Sequence, residues 1–135
     1  MEEELRRLVV ECTQDGLANP LRPDRHIEFS DRYGITVERF YYCFAKIVAL
    51  DFADGVMSFS DGDGAMNRLW SISDFGLTGF ALEVFEAFDE GEYTHSDDPS
   101  EVIPWQKYTL PWVMEALTKD GLLARVQSIQ MQRGK

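Results

Sequence analysis

Carboxylates are the reactive groups this sequence offers in quantity, and their spacing decides what they could do. Along residues 74–93, DFGLTGFALEVFEAFDEGEY, Glu83, Glu86 and Glu90 recur at three- and four-residue intervals, with Asp89 beside Glu90 and no Lys or Arg between them. That spacing places them on one helix face, where like charges destabilise by about 0.2–0.5 kcal/mol per pair. A helix built only for stability would carry a Lys among them. An unpaired acidic face suits a cationic partner, and no two of its carboxylates are set apart as an acid–base pair.

Other chemistry finds little footing. Counting Asp61 as the first residue of a calcium loop puts Met66 where glycine is needed and Ile72 where the bidentate Glu is needed, so Asp61-Gly62-Asp63-Gly64 reads as two turns in a solvated loop. His95, Asp97 and Asp98 lie together, but the other histidine, His26, is distant in sequence and reads as a surface or capping residue. Cys12 and Cys43 sit on apolar helix faces and read as structural thiols. There is no phosphate-cradling glycine loop, nucleophile elbow, HExxH or CxxC. The residues therefore favour a protein that is not an enzyme and needs no cofactor or metal. The competing reading is a small metal-dependent enzyme using His95 with Asp97 or Asp98.

What remains is recognition. Asp74, Glu83, Glu86, Asp89, Glu90, Glu92, Asp97 and Asp98 surround the aromatics Phe75, Tyr93 and Trp105. Aromatic anchors rimmed by charge of one sign suit an electrostatically steered protein interface. In the alternative, Phe75 and Trp105 belong to the core and the acids are a solvated face.

Charge along the chain sharpens this. The net charge is −11 over 135 residues. Residues 51–101 hold thirteen acids against a single base, Arg68, for a net of −12; residues 1–50 sum to −2 and residues 102–135 to +3. Such a field attracts basic surfaces and repels nucleic acid and anionic membranes, so direct nucleic-acid or membrane binding is not expected. The length suits one globular domain, 1–135. The acidic N-terminus lacks a secretory basic region and no apolar run is long enough to span a bilayer, which suits a cytoplasmic protein.

The elements that must position these residues read as mostly α: five or six helices around a central buried helix. The α+β alternative adds a minor short strand pair. A first amphipathic helix covers 2–15, with Leu5, Leu8, Val9 and Cys12 inward. Residues 17–35 read as a connection with a short strand near His26–Phe29. Thr36 caps the longest helix, about 37–52, which is apolar on nearly every side and so belongs among neighbours. A loop to Gly64 precedes a short helix over 65–72. The acidic helix follows, capped by Thr78 and ended by Gly91, with Ala81, Val84, Phe85 and Phe88 as its buried face. A surface loop spans 94–107, Thr109 caps the next helix, and the spacing of 122–131 fits helix or strand.

The segment AFDEGEYTHSDDP followed by KYTLPWVMEAL resembles the small acidic immunity proteins of bacterial contact-dependent inhibition and polymorphic toxin systems. The resemblance covers roughly residues 85–117 and includes no catalytic motif. It implies a cytoplasmic inhibitor that covers the basic cleft of a toxin, often a nuclease. A phage-type inhibitor or nucleic-acid mimic and an acidic secretion chaperone use the same charge differently, and oligomeric state is open.

Overall fold

The computed structural model describes residues 1–14, 16 and 18–122. Among these residues six α-helices follow one another: α1 (Glu2–Thr13), α2 (Arg25–Tyr33), α3 (Val37–Ala53), α4 (Phe59–Ile72), α5 (Gly79–Glu90) and α6 (Leu110–Lys119), with a five-residue π-helical turn (Trp105–Thr109) leading into α6. The fold is mostly α, and no strand occurs among the described residues.

Helix α3 is the centre. Thr36 caps it, its side-chain oxygen accepting from the Arg39 N–H at 3.0 Å. Phe40, Phe44, Ala45, Ile47, Val48, Ala49 and Phe52 are buried, and α3 touches each of the other five α-helices. One hydrophobic cluster runs through all of them, from Leu5 and Val9 of α1 through Phe29 of α2 and Met66 of α4 to Phe88 of α5 and Leu117 of α6. Burying a side chain of this size contributes about 1.5–3 kcal/mol, far more than the propensity of a single helix residue.

That arithmetic explains where the helix boundaries depart from local expectation. Residues 25–33 form α2 and not a strand or open connection, because Phe29 and Ser30 reach the core from one face. His26 lies on that face too, 7% exposed, and is a core histidine rather than a surface or capping one. Its ring lies against Tyr41, and burial pushes its pKa down.

Helix α4 starts at Phe59, not at Ala65, so the Asp61–Gly64 stretch is helical and not a turn-rich loop. Ser58 caps it by accepting from the Asp61 N–H at 3.1 Å. Gly62 lies so close to α5 that an added Cβ would sit 2.6 Å from the Phe88 ring.

The chain after Tyr93 becomes helical again by Pro104, earlier than expected. Thr109 does not cap α6; it is fully buried, with its hydroxyl donating to the Ala87 carbonyl at 2.7 Å and tying the π-helical turn to α5. Apart from Leu122, the ambiguous segment 122–131 lies outside the described residues.

Candidate protein-binding surface

Helix α5 carries the acidic face and is charged against its own dipole. Its first turn has no acid, while Asp89 and Glu90 occupy its last turn with no base there. The C-terminal end of a helix bears about half a negative charge, so each acid there is unfavourable by about 0.3–1 kcal/mol.

The fold adds a carboxylate to this end. Because Gly62 packs on Phe88, the start of α4 lies beside the end of α5, and Asp63 meets Glu92 and Asp89. Burial, a hydrogen bond between the Asp63 and Glu92 carboxyls, and the two neighbouring charges push the Asp63 pKa up to about 7. Burial with the charges of Glu92 and Glu90 raises Asp89 as well. Asp63 Oδ1 is buried and has no hydrogen-bond partner among the described residues. Sequence spacing missed Asp63, since the residues that crowd it lie some 26–29 positions away.

The other candidate residues divide by their partners. Glu83 pairs with Lys119 of α6 at 2.7 Å, and Glu90 with His95 Nε2 at 2.7 Å, so two of the three helix-face glutamates are not unpaired, as their local sequence suggests. Asp98 is engaged too: Lys107 and the Tyr108 hydroxyl donate to it, as does the His95 N–H at 2.9 Å. Those hydrogen bonds, Lys107 foremost, hold its pKa well below the usual carboxylate range. Asp74, Glu86, Asp89, Glu92 and Asp97 form no ion pair among the described residues. Arg68, the one base of residues 51–101, neutralises none of them. Its guanidinium donates to the carbonyls of Ala18, Gln14 and Gly16 at 2.7–3.1 Å and fastens the connection after α1.

The three aromatics also separate. Tyr93 is 75% exposed and stands just past the acidic end of α5. Phe75 is 69% exposed and precedes the other end, about 18 Å away along a twelve-residue helix. Asp74 and Phe75 both adopt left-handed backbone, φ 58° and 62°, although neither is glycine. Strain of this kind costs on the order of 1 kcal/mol per residue. It holds the Phe75 ring outward over Trp70, at 5.3 Å, and Trp70 in turn stacks on Phe85 at 4.3 Å. Trp105 is half-buried against Phe52 and Phe59.

Away from α5 some acids are paired and others are not. A groove of about 310 Å³ between α1 and α2 is lined by Glu4, Glu11, Glu28, Arg7, Arg25 and Arg32; Arg32 holds Glu4 and Arg25 holds Glu11, while Glu28 forms no ion pair among the described residues. Burial pushes the Cys12 thiol up to about 12, far from a reactive thiolate. Among the described residues no three His, Cys, Asp or Glu side chains converge on a point that could hold a metal ion, and His95 is stacked on Tyr108 at 4.1 Å. No described helix is long and apolar enough to cross a membrane.

No family model, curated protein or solved structure matches the chain. The surface itself therefore carries the functional reading.

Proposed function

We propose that this is a non-enzymatic binding protein that neutralises a basic protein partner, an immunity protein that inhibits a nuclease-type toxin in the cytoplasm. One observation carries the reading. Carboxylates from α4, α5 and the turn after α5 meet at the C-terminal end of α5, where burial first, then the hydrogen bond to Glu92 and the charges of Glu92 and Asp89, push the Asp63 pKa up to about 7. A stable fold gains nothing from that arrangement, whereas a cationic surface laid over it relieves the repulsion. The exposed rings of Tyr93 and Phe75 supply short-range contact once the charges have steered the encounter.

Stopped-flow mixing with the nuclease-type toxin domain proposed as its partner tests the reading. Changing Glu86, Asp89, Glu92 and Asp97 together to their amides should slow association at least tenfold at low salt and flatten its salt dependence. An unchanged association rate would rule out steering by this surface. A ternary complex of protein, toxin and nucleic acid would show that the acids do not occupy the toxin's substrate cleft.

A further inference from the structure

A cavity of about 420 Å³ opens where α3 turns into α4, lined by Phe52, Met57, Ser58, Phe59, Ser60 and Trp105. The Phe59 and Trp105 rings are nearly parallel, 11° apart with centroids at 6.4 Å, and the Phe52 ring meets Trp105 at 71° and 5.8 Å. Phe88, fully buried, backs both phenylalanines at 4.9 and 5.7 Å and fixes them. Aromatic faces carry negative potential and attract cations, guanidinium groups above all.

The chain beside the lining residues carries matching charge. Asp54 immediately precedes the lining residue Gly55 and Asp61 follows Ser60; both are exposed and neither forms an ion pair among the described residues. The cavity adjoins the acidic end of α5. Gly91, the residue before Glu92, packs so tightly on Trp105 that an added Cβ would lie 3.1 Å from the Trp105 Cα.

We propose that this aromatic cavity is a cage for an arginine side chain of the basic partner. The rings take the guanidinium face while Asp54 and Asp61 take its charge. The identity of the partner rests on the reading above; the cage itself does not, because a small cation probes it without the partner.

The test is fluorine NMR of the protein labelled with 5-fluorotryptophan, the Trp105 signal being assigned with Trp105→Phe and the signals of Trp70 and Trp112 serving as internal controls. Butylguanidinium should shift the Trp105 signal saturably, and its uncharged isostere butylurea should bind about tenfold more weakly, the scale of a single cation–π contact. Phe59→Leu, and separately Asp54→Asn with Asp61→Asn, should weaken butylguanidinium binding several-fold; the surface pair leaves the core intact. Equal binding of butylurea would reduce the cavity to an apolar groove. Equal shifts of all three tryptophans, or no saturation, would remove the cage. If the cage binds the probe while the α5 amide variant leaves association with the toxin domain unchanged, the steering reading fails and the cage stands.

Discussion

Asp63 shares its surroundings with two other carboxylates, and its protonation couples the acidic surface to the stability of the fold. Its folded pKa, about 7, lies above the ordinary value of 3.8. The folded state therefore holds a proton that the unfolded chain releases between those values. The contribution is fully present below about pH 4 and is lost as pH rises through about 7. Only the part of the shift that falls in this window counts, about 1.4 kcal/mol at most, and the side chain is only partly buried, so the loss between pH 6 and 8 should be about 1 kcal/mol or less. Urea midpoints should accordingly fall from pH 6 to pH 8. In Asp63→Asn that fall should disappear, because the amide needs no proton to donate to Glu92, leaving the opposite, slight rise with pH that buried His26 gives through its lowered pKa. A fall from pH 6 to pH 8 that survives in Asp63→Asn would place its origin elsewhere. Phe75 offers a second residue-scale prediction. Phe75→Gly relieves a left-handed backbone strain while deleting an exposed ring, so thermal stability should change by no more than about 1 kcal/mol while a complex with the proposed partner dissociates faster. A large loss of stability would mean that the ring serves the fold.

Helices α4 and α5 are positioned by a missing side chain. A Cβ added at Gly62 would come within 2.6 Å of the Phe88 ring, closer than that buried ring can tolerate without moving. Gly62→Ala should gain about 0.5–1 kcal/mol of helix propensity and lose about 1–3 kcal/mol to overpacking, a net destabilisation visible in chemical denaturation. It should also loosen the contact that brings Asp63 to Glu92, so the pH dependence shrinks in the same variant. This contact explains what local pattern could and could not convey. The extents of α3 and α5 follow from apolar spacing, with Thr36 capping α3 within a turn of itself; Gly91, at φ −86°, ends α5 without left-handed backbone and makes room for Thr109. The Asp-Gly repeats of 61–64 favour turns, and the helix there is held by the Ser58 cap together with the packing of Gly62 on Phe88, 26 residues downstream. Likewise the partners of Glu83 and Asp98 lie 36 and 9 residues away, so the sequence displayed the acids but not which of them were already engaged. Crowding at Asp63 was invisible for the same reason.

Across the whole molecule, charge acts on stability and on binding with opposite sign, and that opposition is measurable. The excess of −12 in residues 51–101 has Arg68 as its only internal base, and Arg68 is occupied by backbone carbonyls. Self-repulsion of this kind weakens the compact state, and salt screens it over a Debye length of about 10 Å at 0.1 M and about 3 Å at 1 M. Raising NaCl from about 20 to 500 mM should therefore raise the melting temperature of the isolated protein, by about 4 °C for each kcal/mol of repulsion removed at this chain length. The same change should slow association with the proposed basic partner by tenfold or more, since screening removes the attraction that guides the encounter. The ion pairs of α1 and α2 resist the first effect, because salt also weakens Glu4–Arg32 and Glu11–Arg25, but those exposed pairs contribute only about 0–1 kcal/mol each. The amide variant of Glu86, Asp89, Glu92 and Asp97 separates the contributions: it should be more stable than the parent at about 20 mM NaCl, indistinguishable from it at about 500 mM, and slower to bind at low salt alone. A parent protein whose melting temperature falls as salt rises would show that its acids are compensated within the fold, and the case for a surface held ready for a cationic partner would go with it.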